Sequence, residues 1–214
     1  MTRFETFKGR ERELALLDDL WAAPEASFLV LYGRRRVGKT RLLTHWLKQS
    51  GARGLYWVAE PTSTLDQLRS FSQDLYNFAN PGLLAPADFT YTSWEQALQQ
   101  VASLAREERL VLIIDEFTYL LDNDPGLAGV LQNAWDHELS QRNLLLIISG
   151  SHMGMLQRHV LSYQAPLYGR ESAKLQLQPL SFGVTGDFFP NYTAAERVEL
   201  YSMWGGVPAY WERL

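Results

Sequence analysis

Cysteine is absent from this chain of 214 residues, and histidine is scarce. The lack of cysteine excludes a disulfide framework and a thiolate zinc site. One of the four histidines begins a zinc-like pattern, His137-Glu138, but Gln141 stands where H-E-x-x-H needs its second histidine. We therefore expect the histidines to be ordinary surface or core residues.

The chain also lacks long apolar runs and an excess of positive charge. No run approaches the roughly 20 apolar residues of a membrane helix, and residues 1–5 do not begin a signal peptide. The formal charge of −4 argues against a surface broadly devoted to nucleic-acid phosphates, although it permits a local basic patch. A soluble, cytoplasmic protein without a membrane partner is the default expectation.

The most informative stretch begins with an apolar run over residues 28–32. It leads into Gly33-Arg34-Arg35-Arg36-Val37-Gly38-Lys39-Thr40, and a helical pattern follows. This is the G-x-x-x-x-G-K-S/T phosphate-binding loop between a strand and a helix. The two glycines let consecutive N–H groups face a polyphosphate, and the helix N-terminus favours an anion. Lys39 would reach the β and γ phosphates, and the Thr40 hydroxyl would bind Mg²⁺.

The residues of this loop predicted to contact the nucleotide are Gly33, Arg35, Arg36, Val37, Gly38, Lys39, Thr40 and Arg41. The three consecutive arginines, residues 34–36, suit either a nucleic-acid contact or a solvated rim around the polyphosphate, and we adopt the second interpretation. No guanine-reading Asn-Lys-x-Asp motif occurs in the chain.

A second chemical landmark is the pair Asp115-Glu116, which ends the apolar run 110–114. Such a run suits a central parallel strand covered on both faces. Burying an unpaired carboxylate is costly, so the pair must meet solvent, a cation or a metal. At the carboxyl edge of the sheet, Asp115 would hold Mg²⁺ through its water shell opposite Thr40, while Glu116 would orient and deprotonate the attacking water. The alternative is a strand that simply ends in a charged turn.

Two further stretches carry polar groups near predicted strand ends. The apolar run 144–148 ends in Ser149-Gly150-Ser151, where a hydroxyl would contact the γ phosphate or its water, or else cap a helix, with Ser151 the favoured cap. The loop 166–171 carries Arg170, which would meet a γ phosphate in its own site or a neighbour's, or be a surface arginine. The next segment alternates apolar and polar residues, as an edge strand does.

Six separated motifs agree in order and spacing with one known family. They are Gly9-Arg10-Glu11, the phosphate loop, Ile114-Asp115-Glu116-Phe117, Ser149-Gly150-Ser151, Pro166-Leu167-Tyr168-Gly169-Arg170 and Gly205-Gly206-Val207-Pro208. With them the chain resembles the archaeal-type ATPases of prokaryotes, a branch of the AAA+ and STAND group of P-loop NTPases. The resemblance implies an α/β three-layer sandwich in which helices cover both faces of a parallel five-stranded sheet of order 5-1-4-3-2.

The resemblance also implies roles for particular residues. Arg10 would lie near the adenine, and Ser149 would resemble the polar sensor that follows the fourth strand. Arg170 would be the family's arginine in the Gly-Arg loop, while Gly206 and Pro208 would begin a lid over the base. Members of the family continue through a helical lid, so we expect an ATPase core over residues 1–190 and the start of a truncated lid over residues 191–214.

Together these features predict an Mg²⁺-dependent ATPase whose hydrolysis drives a conformational change. The alternative is a slow, nucleotide-gated switch that signals by assembly, and a small-molecule kinase is a weaker third. ATP and ADP are the expected ligands, and the choice of adenine rests on the resemblance. Self-association through the nucleotide is an expected interaction, whereas a nucleic-acid partner of the full-length protein is permitted but not indicated by net charge.

Overall fold

Five parallel strands form the central sheet of the structure, a computed structural model that describes residues 7–213. The strands are β1 (Ser27–Tyr32), β2 (Gly54–Val58), β3 (Leu110–Asp115), β4 (Leu144–Gly150) and β5 (Ala173–Gln176). Their order is β2-β3-β4-β1-β5, and every neighbouring pair is parallel. The predicted order 5-1-4-3-2 is therefore confirmed.

Helices cover both faces of this sheet. The helices are α1 (Glu11–Ala22), α2 (Lys39–Ser50), α3 (Thr64–Ala79), α4 (Trp94–Leu104), α5 (Thr118–Asn123), α6 (Leu127–His137), α7 (Met153–Leu156), α8 (Thr185–Phe188), α9 (Ala194–Trp204) and α10 (Pro208–Trp211). Short 3₁₀ turns occupy Leu139–Gln141 and Phe182–Val184, and a π-helical turn, Gln157–Leu161, follows α7. Within residues 7–213, no helix has the length and apolar character of a membrane span.

The two faces of the sheet bury different sets of side chains. In β3, Leu112 and Ile114 pack with the layer formed by α3 to α6, whereas Val111 and Ile113 pack with the layer formed by α1 and α2. Because both faces are covered, an inner strand must be apolar at every position, which explains the unbroken apolar runs. Strand β5 instead alternates between half-buried and exposed residues, and its predicted edge position is confirmed.

The C-terminal helices share a small core with the segment that follows β5. This core contains Leu180, Phe188, Phe189, Leu200 and Trp211, and the Trp211 ring is fully buried. The backbone of Gly206 lies against that segment, because the Leu180 N–H donates to the Gly206 carbonyl at 2.7 Å. A Cβ added to Gly206 would lie 1.8 Å from the Leu180 carbonyl oxygen, so only glycine fits this turn.

Replacing Gly206 by alanine should therefore lower the free energy of unfolding by about 1–3 kcal/mol, because the new methyl group forces the two backbones apart. Thermal unfolding followed by circular dichroism measures the change, and 1 kcal/mol corresponds to roughly 2–4 °C in a chain of this size. The matched control is Gly129→Ala in α6, where the added Cβ meets no atom within 4 Å. Equal melting temperatures for the two variants would contradict the close packing at Gly206.

Candidate functional site

The phosphate loop joins β1 to α2 and has the backbone of an anion-binding turn. Gly33 and Gly38 have φ angles of +155° and +99°, and Arg36 also has a positive φ of 69°. A Cβ on Gly33 would lie 2.4 Å from the Leu177 carbonyl oxygen, which excludes any larger residue. Helix α2 begins at Lys39 without a side-chain cap, so its first N–H groups remain suited to an anion.

Lys39 lies inside this loop and is 5% exposed. Its Nζ donates to the Gly33 carbonyl at 3.0 Å and to the Arg34 carbonyl at 3.3 Å. Burial lowers the pKa of Lys39, and the negative charges of Glu116 and Asp115 oppose that shift. The ammonium group is thus held within the loop that a polyphosphate would occupy.

Asp115, at the end of β3, is 1% exposed and accepts four hydrogen bonds. Its Oδ2 accepts from the Thr40 hydroxyl at 2.7 Å and from the Tyr56 hydroxyl at 2.5 Å. Its Oδ1 accepts from the Ser149 hydroxyl and, at 2.9 Å, from the Glu116 N–H. A carboxylate has about four lone-pair sites, so these donors satisfy the buried charge.

Thr40 and Asp115 form an all-oxygen set, which is the chemistry that Mg²⁺ prefers. No cluster of three or more histidine, cysteine or acidic side chains that could hold a metal occurs between residues 7 and 213. Mg²⁺ takes few protein ligands and completes its shell with water and substrate phosphates, so a pair of oxygen ligands such as Thr40 and Asp115 is sufficient to hold it. The residues present therefore suit a magnesium ion bound together with a nucleotide.

Tyr56 is a residue of this site that the sequence did not reveal. It lies on β2, which alternates half-buried and buried residues over positions 54–57. Burial, together with the hydrogen bond to Asp115, raises the pKa of Tyr56, so its hydroxyl stays protonated and donates. A tyrosine in a strand is ordinary core material, and no local pattern identifies its partner on the next strand.

Glu116 follows Asp115 with a left-handed backbone, φ 52°. Its carboxylate lines an open cleft with the phosphate loop, Pro208 and Glu212. The Ser151 hydroxyl donates to Glu116 Oε2 at 3.1 Å. The prediction that Ser151 caps the next helix is wrong, because His152 occupies the cap and accepts from the Met155 N–H. The Ser151 hydroxyl instead donates to the Glu116 carboxylate in a charge-assisted hydrogen bond.

A second, more apolar pocket adjoins the loop at Gly38. Phe7, Lys8, Arg10, Val37, Arg41, Leu180, Phe188 and Pro208 complete its lining. Arg10 is part of this wall, but its guanidinium donates to the Val37 carbonyl at 3.2 Å and the Gln178 carbonyl at 2.6 Å, and it pairs with Glu13. The arginine thus ties the phosphate loop to the segment after β5.

Two arginines of the phosphate loop and one in the first turn of α2 contact different elements. Arg35 donates to the Tyr119 hydroxyl in α5 at 3.2 Å, and the Arg36 guanidinium lies 6.0 Å from the centre of the Tyr210 ring in α10. Arg41 forms an ion pair with Glu212, directly after α10. The loop is therefore connected both to the acidic end of β3 and to the C-terminal helices.

Arg170 lies near the amino-terminal ends of the strands, whereas the phosphate loop lies beyond their carboxyl ends. The neighbouring Ser172 donates its N–H to the Phe28 carbonyl near the start of β1, whereas the phosphate loop follows the end of β1. Four residues of β1, which span about 13 Å, separate the Phe28 carbonyl from the start of the phosphate loop. Arg170 forms a two-bond pair with Asp136, both distances 2.7 Å, and these hydrogen bonds raise its pKa. The structure thus brings together Lys39, Thr40, Asp115, Glu116 and Ser149, but not Arg170.

Comparison with curated proteins reveals relatives of unknown activity. The chain is 30% identical over 208 residues to an uncharacterized protein of Methanocaldococcus jannaschii, covering 97% of this chain but only 44% of that relative. It is also 45% identical over 42 residues to an uncharacterized ATP-binding protein of the same organism, covering 20% of this chain and 71% of the relative. The chain thus spans less than half of the longer relative.

Similar folds occur among solved structures. A Walker-type ATPase of Pyrococcus abyssi has a TM-score of 0.69 at 23% identity, covering 99% of this chain and 67% of that one. Cdc6p from Pyrobaculum aerophilum has a TM-score of 0.60 at 16% identity, with coverages of 92% and 51%. The Orc1 protein of Aeropyrum pernix, solved in complex with DNA, has a TM-score of 0.57 at 17% identity, with coverages of 92% and 50%. These likenesses support the fold.

The match to a family extends over almost the whole chain. A family model described as "ATPase domain predominantly from Archaea" matches residues 7–214. That match includes the phosphate loop, the Asp115-Glu116 pair and the Gly206-Pro208 turn, and it agrees with the predicted resemblance. The chain therefore belongs to this family of ATPase domains found predominantly in Archaea.

Proposed function

We propose that the chain binds ATP and, with Mg²⁺, hydrolyses it to ADP and phosphate in the cytoplasm, where ATP is available. The observation that carries the proposal is the 2.7 Å hydrogen bond between Thr40 and Asp115. It joins the phosphate loop to the acidic end of β3 at the point where a nucleotide-bound metal needs oxygen ligands. Membership in a family of ATPase domains supports the choice of ATP.

Each residue of the cleft has a proposed part in the reaction. The loop N–H groups and the Lys39 ammonium bind the β and γ phosphates, while Thr40 and, through water, Asp115 hold the metal. When bound, Mg²⁺ would neutralise the charge that develops on the phosphates. Glu116 orients the attacking water and accepts its proton. Ser149, whose hydroxyl donates to Asp115, responds to the γ phosphate.

We place the adenine against the apolar pocket beside Gly38, which would have to widen to admit the base. Its wall contains Leu180, Phe188 and Pro208, so the base would stack on apolar surface while its phosphates enter the loop. Arg10 would border the base and position the loop rather than donate to the ring, since its Nη2 donates to the Val37 and Gln178 carbonyls and its Nη1 to Glu13. We propose that residues 1–190 form the ATPase core and that residues 191–214 form the start of a lid.

Arg170 would act on the nucleotide of a second copy of the chain. Its position at the amino-terminal edge of the sheet supports this, because the phosphate loop of the same chain lies beyond the opposite end of β1. Self-association would bring that edge to a neighbour's cleft, where the guanidinium would stabilise charge on the γ phosphate. Hydrolysis would then depend on assembly.

A slow nucleotide-gated switch is the second candidate. The ion pair between Arg41 and Glu212 favours it, because this pair links the phosphate-loop helix directly to the lid segment. A change of nucleotide would then move the lid and whatever domains follow it in the longer relatives. One structural neighbour was solved with DNA, so a nucleic-acid partner of the full-length protein remains part of this proposal.

Changing Glu116 to Gln tests the hydrolytic role. Total nucleotide retained after gel filtration should match the wild type, whereas steady-state phosphate release should fall by about 10²–10⁴-fold, because glutamine cannot accept the proton of water. Glu95→Gln, an exposed carboxylate on α4, is the charge-matched control and should hydrolyse normally. Unchanged turnover in Glu116→Gln would place the base elsewhere, and tight retention with very slow wild-type turnover would favour the switch.

Mixing two inactive variants tests whether Arg170 serves a neighbour. Lys39→Ala removes the nucleotide site but keeps Arg170, and Arg170→Ala does the reverse, so each should lose at least about tenfold in phosphate release. An equimolar mixture should recover a substantial fraction of wild-type turnover. In the control, the double variant Lys39→Ala/Arg170→Ala takes the place of Lys39→Ala in the mixture with Arg170→Ala. This mixture should show no recovery of phosphate release. A mixture no more active than its components would contradict action in trans.

A further inference from the structure

The backbone of Glu116 is held at both of its polar groups. Its N–H donates to Asp115 Oδ1 at 2.9 Å, and its carbonyl accepts from the Tyr119 N–H at 2.9 Å. The next N–H, of Phe117, donates to the Ser149 carbonyl at 2.7 Å, which fixes the turn to β4. These contacts maintain a left-handed backbone that is uncommon for glutamate and that directs the side chain into the cleft.

The Glu116 carboxylate itself has one hydrogen-bond donor within the described chain, the Ser151 hydroxyl at 3.1 Å. The cations nearest in the cleft have other hydrogen-bond partners. Lys39 donates to two loop carbonyls, and Arg35 donates to Tyr119. Neither forms an ion pair with Glu116 within 4.0 Å. The direction of the carboxylate therefore depends on a hydroxyl supplied from the end of β4.

Ser151 is well placed for this task because its position is set independently of the nucleotide. It directly follows β4, which is hydrogen-bonded to β1 and β3 on its two sides. The following residue, His152, caps α7 with its own ring nitrogen, which leaves the serine hydroxyl available. The adjoining Gly150 packs against Thr118 and Leu156, so the segment has little room to shift.

We propose that Ser151 is a positioning residue for the reaction, which orients the Glu116 carboxylate toward the attacking water through its hydroxyl. This assignment rests on the proposed function of Glu116 as the base. Ser151 was not among the catalytic residues predicted from the sequence. Removing the hydroxyl should impair turnover while leaving nucleotide binding intact, because Ser151 does not line the cleft or the apolar pocket.

The test measures kcat and KM for phosphate release, together with the affinity for ATP, in a set of variants. Ser151→Ala should lower kcat about tenfold, which corresponds to a hydrogen bond to a charged group, and should leave KM and ATP affinity unchanged. Ser151→Thr keeps the hydroxyl and should retain most of the wild-type kcat. Ser162→Ala, a half-buried serine of the same connection, is the control and should be unaffected.

The double variant Ser151→Ala/Glu116→Gln separates this inference from the proposed function. It should be no slower than Glu116→Gln alone, because the serine acts only through the carboxylate. An inactive Glu116→Gln combined with a wild-type rate for Ser151→Ala, or a threonine variant as slow as alanine, would overturn the role of Ser151 and leave Glu116 standing. A wild type without turnover, or an active Glu116→Gln, would overturn both.

Discussion

The buried carboxylate of Asp115 is the constraint on which the rest of the structure depends. Asp115 is 1% exposed, so its negative charge must be balanced by hydrogen-bond donors. The donors of the four hydrogen bonds that it accepts come from different parts of the chain. Thr40 lies in the first turn of α2, Tyr56 belongs to β2 and Ser149 is the second-last residue of β4, while the fourth donor is the backbone of Glu116. These segments meet because parallel strands align their carboxyl ends at one edge.

The same arrangement explains why the residues of the candidate site and the residues that stabilise the fold occupy different parts of the sheet. Apolar side chains occupy both faces of the inner strands and contribute the buried area, and the polar residues of the cleft lie at the carboxyl ends of β3 and β4. At that edge the loop around Lys39 supplies positive charge and β3 supplies negative charge. Under the proposed function, binding of a nucleotide would exchange the internal bonds of Lys39 for bonds to phosphate, and Arg41 would transmit the change to the C-terminal helices through its ion pair with Glu212.

The sequence predicted those features that depend on neighbours along the chain. The phosphate loop needs two glycines at fixed spacing, and β5 reveals its edge position by alternation. Tyr56 and Ser151 could not be assigned in this way, because their partners, Asp115 and Glu116, lie at and just after the end of β3, and the pairing of β3 with β2 and β4 brings them together. Arg170 lies in a motif that resembles the family's, but the spacing of motifs along the chain does not reveal its distance from the phosphate loop. That distance follows from the parallel direction of β5, which places Arg170 at the start of the strand.

The central claim is that Thr40 and Asp115 form the metal-binding junction of an ATP site. A crystal structure with Mg²⁺ and a slowly hydrolysed ATP analogue tests it most directly. We expect the Thr40 hydroxyl about 2.1 Å from the ion, Asp115 on its water shell, and the Lys39 ammonium moved from the Gly33 and Arg34 carbonyls to the phosphates. An analogue bound elsewhere, with the Lys39 and Thr40 contacts unchanged, would contradict the account.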